Sequence, residues 1–406
     1  MMAEKTTATS SSVALLTIFL IDCFSCCTAL NLVAGHMPTR SELCDLMIQP
    51  RGYPCSEYTV QTEDGYLLTL QRIPRGRNAL REYRSPPVFL QHGLFQGGDA
   101  WFLNSVEESL GFLLADNDFD VWVGNVRGSR WSRKHVTLSE HDKAFWNWSW
   151  QDLAQYDLAA MLSYVHAETN SKVLYVGHSQ GTIMALAAFT MPDIVKLVDA
   201  AALLCPISYL NHISSSFVLR AVGLHLDQML LSLGIHELNF RSNLGVEILN
   251  ALCDGHLDCG SLLSAITGNN CCFNASRVEY YLQFEPHASS TKNLHHLFQM
   301  IRKGTFSKYD YGLLGNLKYY RRLNPPLFSL GDIPESLPLW IGYGGNDALA
   351  DLTDLRRTMK ELRSKPEALY IDYYGHIDFI LGVDAKNDVY GDLIRFLGSY
   401  SGRHSC

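Results

Sequence analysis

The chain has 406 residues, of which 47% are hydrophobic and 18% charged. That composition supplies a core larger than one small domain needs and excludes a disordered chain. The formal net charge is −8 and no Lys/Arg-rich block occurs, so nucleic acid has no electrostatic footprint to bind.

The N-terminus comes first. Residues Met1–Ser12 are polar and carry Lys5, Val13–Ile21 are apolar except Thr17, and small residues lead to Cys27-Thr28-Ala29. This three-part pattern predicts a secretory signal peptide over residues 1–29. Its apolar run of about nine residues is too short to cross a bilayer. No later run reaches the ~18 uncharged apolar residues of a membrane helix. The expectation is therefore export into the secretory pathway with no transmembrane anchor, ending outside the cell or in a vacuole- or lysosome-like compartment.

Of 11 cysteines, Cys23, Cys26 and Cys27 fall in the signal segment, which leaves eight. An even number in an exported chain suggests disulfides. Cys44 and Cys55 enclose a loop with Pro50, Gly52 and Pro54 and form a natural pair. Cys253, Cys259, Cys271 and Cys272 cluster locally, with room for two bridges and the pairing open. No two-residue Cys spacing appears, so zinc is not expected. Cys205 ends an apolar run as a buried thiol. Asn147-Trp148-Ser149 and Asn274-Ala275-Ser276 are N-glycosylation acceptors in an exported chain.

The body alternates strands and helices. Tyr58–Thr62 and Tyr66–Arg72 flank Glu63-Asp64-Gly65 as a hairpin. Pro87–Gln91, Phe119–Gly124, Lys172–Gly177 and Val198–Leu204 are short apolar strands. A helix is expected from Gln151 to Glu168 and another from Thr182 to Phe189. Strands return at Leu337–Tyr343 and Glu367–Asp372, with helices at Asp351–Arg363 and Asp388–Leu397. Such alternation predicts a mostly parallel sheet with helices on both faces. Residues 206–326 break the rhythm and read as an inserted, mainly helical cap between core parts at 30–205 and 327–406. Within it Val218, Val222, Leu226, Met229 and Leu233 fall at helical spacing on one face, either as core packing or as the face of a lid.

The chemistry centres on Gly177-His178-Ser179-Gln180-Gly181, a G-x-S-x-G between a buried strand and an Ala-rich helix. There the turn lifts the serine hydroxyl above the sheet, and the helix N-terminus faces the developing oxyanion. The bland alternative is a helix N-cap serine. A nucleophilic serine needs a base and an acid, in the chain order Ser, acid, His. His376 hangs past the last strand and is the expected general base. His178 is excluded by adjacency, and His92 serves an earlier loop. Asp347 follows the strand before and is the expected partner of His376, with Asp351 as its rival and the better helix cap. The oxyanion donors are expected at the backbone N–H groups of Leu94 and Gln180.

Several segments together resemble the acid lipase branch of the α/β-hydrolases, which includes lysosomal and gastric lipases. They are Phe89-Leu90-Gln91-His92-Gly93-Leu94, Leu110-Gly111-Phe112, Phe119-Asp120-Val121-Trp122, Asn125-Val126-Arg127-Gly128, Trp131-Ser132-Arg133-Lys134-His135, the serine motif and His376-Ile377-Asp378-Phe379. Ala200–Leu210 and Asn270–Ser276 resemble plant members. The resemblance runs from about Leu43 to Leu397 and implies an α/β-hydrolase fold with an eight-stranded core, a helical cap and hydrolysis of fatty-acyl esters. It carries the triad onto Ser179, Asp347 and His376, and the oxyanion donors onto Leu94 and Gln180. Two departures stand out: Asn346 where animal relatives have His, and the adjacent Cys271-Cys272.

The resulting expectation is a secreted, monomeric serine lipase acting on acylglycerols at a lipid–water interface, with no metal or organic cofactor. An esterase, a thioesterase or peptidase, a phospholipid or galactolipid acylhydrolase, and a silent lipid binder of the same fold remain as rivals.

Overall fold

The computed structural model describes residues 42–77, 85–242 and 259–402. The signal segment, Cys253 and Cys406 lie outside the described residues. β1 (Ser56–Gln61) and β2 (Tyr66–Ile73) form the expected antiparallel hairpin, closed by Gly65 at φ 95°. β3 (Pro87–Gln91) feeds the loop that leads to helix α1 (Leu110–Asp116) and then β4 (Asp120–Gly124). A two-residue strand, β5 (Lys134–His135), pairs with β2 and is too short to register as a periodic pattern.

The single helix expected from Gln151 to Glu168 is instead three pieces. An α-helical turn at Trp150–Asp152 passes into a π-helical stretch at Leu153–Leu158 and then α2 (Ala159–Thr169). The wide turns bring Asp157 inside, where its carboxylate accepts the Arg127 N–H at 2.9 Å and Nε–H at 2.7 Å. Arg127 is 1% exposed, also binds Asp64 at 2.5 Å, and lies 3.7 Å from the Tyr66 ring centroid. Arg127→Ala leaves the buried Asp157 charge unpaired and should cost about 3–5 kcal/mol in urea unfolding. A loss under about 1 kcal/mol would mean that the cluster adds little to stability.

β6 (Val173–His178), α3 (Gln180–Ala188) and β7 (Val198–Leu204) follow. All residues of β3, β4 and β6 are buried, so these strands read as unbroken apolar runs rather than alternations.

The main chain then leaves the sheet. The inserted segment carries α4 (Ser216–Gly223), α5 (Leu226–Ser232), β8 (Glu237–Leu238), α6 (Cys259–Thr267), α7 (Val278–Phe284), β9 (Ser289–Ser290), α8 (Thr291–Lys303) and α9 (Gly312–Tyr320). β8 and β9 pair only with each other. The apolar stripe expected from Val218 to Leu233 does not form one face. The chain breaks at Leu224 and His225, the latter at φ 49°, so register is lost between α4 and α5. Ala221, Val222, Leu226 and Leu230 pack with Leu238 and Phe298, while Met229 and Leu233 are 36% and 64% exposed. Buried Asp227 fastens α5 to α8 through His295 Nδ1 and Arg302 Nη2, both at 2.5 Å.

The sheet resumes with β10 (Leu339–Gly344), α10 (Leu352–Glu361), β11 (Glu367–Ile371) and α11 (Gly391–Ser399). Strand order is β1-β2-β4-β3-β6-β7-β10-β11, with β5 beside β2. From β4 to β11 every pairing is parallel. The eight strands implied by the resemblance are present, and β5 adds a ninth. The chain order switches direction beside β3, so the loops after β3 and β6 open at the same sheet end, where ligands of such sheets bind.

Candidate active site

Ser179 sits on the turn between β6 and α3 at φ 53° and ψ −116°, in a region that non-glycine residues rarely enter. Its side chain makes no capping bond to α3, so the helix-cap alternative fails. The turn needs its glycines for close approach. A Cβ on Gly181 would stand 2.5 Å from the Gln91 carbonyl oxygen, and one on Gly177 would stand 3.1 Å from the Gly181 carbonyl carbon. Gly181→Ala should push the end of β3 from the elbow and lower kcat about 100-fold in a folded protein, as displacements near 1 Å do. An unchanged kcat would show that the turn absorbs the extra methyl.

Three chain segments meet at the serine. His376 Nε2 lies 2.7 Å from Ser179 Oγ, and His376 Nδ1 lies 2.8 Å from Asp347 Oδ2. Asp347 follows β10 and His376 follows β11, so adjacent parallel strands deliver acid and base side by side. Asp347 Oδ1 accepts the N–H groups of Leu349 and Ala350, each at 2.8 Å. Burial alone would raise this carboxyl. The His376 ring and the two amides outweigh it and hold the carboxyl below the usual carboxylate range. Ser179, His376 and Asp347 are 8%, 2% and 7% exposed, which strengthens each electrostatic contact.

The neighbouring histidines have other tasks. Burial, reinforced by the His376 ring, pushes His178 down to about 3, and burial pushes His92 down to about 4. Both are therefore neutral near pH 7. His178 Nε2 donates to the His376 carbonyl at 3.1 Å. His92 donates from Nδ1 to the Gly93 carbonyl and accepts the Val126 N–H at Nε2.

The loop after β3 closes on the elbow. A Cβ at Gly93, the residue before Leu94, would stand 3.1 Å from that of Ser179, so this loop passes close to the serine. Gln180, the first residue of α3, follows the serine directly. Sequence reasoning missed the residues that hold this loop. Gln96 Oε1 accepts the Gly93 N–H at 2.9 Å, and the Phe95 carbonyl accepts the His287 N–H at 2.7 Å. Asn293 of α8 donates to the Gln180 side-chain carbonyl at 2.7 Å. The partners of His287 and Asn293 lie far along the chain, and no local pattern marks these two or Gln96.

The remaining expectations divide. Asp351 accepts the Thr353 N–H at 2.6 Å and caps α10, away from His376. Asn346 ties the acid and histidine loops together through the Tyr373 and Tyr374 carbonyls, leaving the Asp347 contact intact. Cys44 pairs with Cys55. Cys271 pairs with its neighbour Cys272. Cys205 is a buried free thiol whose Sγ–H points at the His376 carbonyl, 3.3 Å away. Asn147 is exposed and Asn274 half-buried.

Three described clusters carry ligand-type atoms, and protein partners engage all three. His376, grouped with His178 and Cys205, turns its nitrogens to Ser179 and Asp347. The sulfurs of Cys271 and Cys272, beside Asp378, bond each other. His287, beside Asp99 and Glu285, accepts the Arg130 N–H at Nδ1 and faces Asp99 with Nε2. Among the described residues no helix is long and apolar enough to cross a membrane.

A parallel sheet with serine, acid and histidine at its strand ends defines an α/β-hydrolase. The sequence profile of the alpha/beta hydrolase fold matches residues 86–383, and that of the partial alpha/beta-hydrolase lipase region matches residues 44–105. Triacylglycerol lipase 1 of Arabidopsis thaliana is 58% identical over 384 residues, 95% of this chain and 96% of its own. Gastric triacylglycerol lipase of Homo sapiens is 35% identical over 366 residues, 86% of this chain and 89% of its own. In fold, the chain is similar to the crystal structure of a soluble variant of Saccharomyces cerevisiae monoglyceride lipase, with a TM-score of 0.55 at 15% identity, over 84% of this chain and 94% of that one. The chain belongs to the lipase family of the α/β-hydrolases.

Proposed function

We propose that this chain is a serine lipase that hydrolyses the carboxylic ester bonds of acylglycerols through an acyl-enzyme. The observation that carries the reading is the relay of 2.7 and 2.8 Å from Ser179 through His376 to Asp347. His376 Nε2 takes the hydroxyl proton as Ser179 Oγ attacks the ester carbonyl carbon. The N–H groups of Leu94 and Gln180 hold the oxyanion. The C–O bond then breaks, and the leaving alcohol takes its proton from His376. Water, deprotonated by the same ring, attacks the acyl-enzyme and releases the fatty acid and Ser179.

The triacylglycerol lipase names of relatives at 58% and 35% identity support an acylglycerol as substrate. The test is acid release from emulsified long-chain triacylglycerol, with short-chain esters alongside, for wild type and Ser179→Ala. Long-chain release that vanishes in the variant is the expected result. Turnover of short-chain esters alone makes it an esterase. No Ser179-dependent turnover in a folded protein makes it a silent binder.

Export is part of this proposal. It rests on the polar, apolar and small-residue order of residues 1–29, on the Cys44–Cys55 bridge and on the exposed Asn147 acceptor. Secretion from a eukaryotic host should give a mature chain that starts after Ala29 and shifts in mass on deglycosylation. An unprocessed chain retained in the cytosol would overturn it.

A further inference from the structure

Residues 267–273 of the inserted segment cross the loops that carry Asp347 and His376. Gly268 bridges antiparallel to Asp347, and Phe273 to Gly382. The Thr267 carbonyl accepts the His376 N–H at 3.1 Å and the Ala348 N–H at 3.4 Å. Asn270 Oδ1 accepts the Ile377 N–H at 3.3 Å. The approach is as close as side chains allow: Gly268 is at φ 96°, and a Cβ on Gly375 would stand 2.4 Å from Asn270 Oδ1.

Asp378 joins the two segments. It is fully buried and lies two residues past His376. Its Oδ2 accepts the Gly375 N–H at 2.8 Å and the Cys271 N–H at 3.1 Å, and its Oδ1 accepts the Cys272 N–H at 3.1 Å. Cys271 and Cys272 are consecutive and joined through their sulfurs, and both of their amides face this one carboxylate.

The consequence falls on His376. The successive N–H groups of Gly375, His376 and Ile377 end on Asp378, Thr267 and Asn270 respectively. The His376 carbonyl is held on the other side by His178 and Cys205. The ring must meet Ser179 and Asp347 at once, so its backbone has little room to shift. We propose that Asp378 is a positioning residue for His376, and that it works by clamping the histidine loop to the 267–272 strap of the inserted segment. This rests on the reading of Ser179, His376 and Asp347 as the triad. Without the carboxylate the buried Gly375 amide and the part-buried Cys271 and Cys272 amides lose their acceptor, and the loop must move to resatisfy them. Displacements near 1 Å cost about 100-fold in rate.

The experiment compares wild type, Asp378→Asn, Asp378→Ala and Gly375→Ala as full chains. It reads kcat and KM on p-nitrophenyl butyrate, the rate of fluorophosphonate labelling at Ser179, and the low-field proton resonance of the His376–Asp347 hydrogen bond. Asp378→Ala should lower kcat about 100-fold and Asp378→Asn, which keeps one acceptor oxygen, about tenfold, with KM within about twofold. The low-field resonance should fade in the same order. Gly375→Ala, which crowds Asn270 and keeps the carboxylate, should lower kcat in the same way. If Asp378→Ala does not fold, Asp378→Asn and Gly375→Ala decide. Wild-type kcat and an unchanged resonance in these two, whatever their melting temperatures, overturn the proposal, as does a change confined to KM. A wild type without Ser179-dependent turnover overturns the functional reading and this one with it.

Discussion

Ser179→Ala should lower kcat on its best ester by about 10⁶-fold, as loss of the nucleophile does in serine hydrolases whose triad acts as one unit. The size follows from the geometry. Ser179 Oγ is the atom that His376 Nε2 reaches at 2.7 Å, and Ala offers that nitrogen nothing to deprotonate. The donors proposed for the oxyanion, the N–H groups of Leu94 and Gln180, belong to the backbone and would survive the substitution. A residue of about 10³–10⁴-fold over water should therefore persist. Intact mass after fluorophosphonate treatment gives a second readout: one adduct on wild type and none on the variant. A variant that keeps kcat within tenfold, or still gains the adduct, would remove Ser179 from the chemistry.

Asp347→Asn should lower kcat by about 10⁴-fold with the fold intact, because it imposes the wrong imidazole tautomer. The local bonds leave the new side chain no choice of orientation. Oδ1 of Asp347 takes two amide N–H groups at 2.8 Å, so the carbonyl of Asn must stay there. Its NH₂ then faces His376 Nδ1, which becomes an acceptor. The ring proton moves to Nε2, opposite the serine it should deprotonate. The same substitution alters the acid limb of stability. A carboxyl held below its unfolded value stabilises above about pH 4, and that stabilisation is lost as pH falls through the folded value. The Asn variant lacks this contribution, so its unfolding free energy should fall less steeply on acidification. Asp351→Ala is the control: loss of a helix cap, about 1 kcal/mol, at unchanged kcat. A large kcat loss there and none at Asp347 would exchange the two roles.

How much of this was legible in sequence depends on how far each contact reaches. β3 and β7 stand at their expected limits because buried parallel strands are short apolar runs bounded by turn residues. Ser179, Asp347 and His376 could be placed because each follows a strand, and strand ends carry the chemistry in this fold class. The irregular elements were hidden. Nothing periodic distinguishes the π-helical Leu153–Leu158 from the α-helix around it, and the buried arginine that its Asp157 meets lies 30 residues upstream. The helix break at His225 was missed because one apolar spacing ran through it unchanged. The supports of the site were the least visible. Asn293, Thr267 and Asp378 meet groups that folding alone brings near, and the short reach of Gln96 back to Gly93 follows no recognisable motif.

The strap at residues 267–272 also bears on how this scaffold can be altered. Loops over a hydrolase sheet invite exchange between relatives as a way to change substrate preference. Here part of such a loop holds the acid and the histidine of the core, so a graft of the whole insertion would import alignment along with selectivity. A chimera that keeps the recipient's own chain from Thr267 to Phe273 separates the two traits. One that replaces it must carry the donor's Gly375 and Asp378 equivalents as well. The segment that covers the sheet thus also carries supports of the core site, and exchange of the whole segment would drag those supports along.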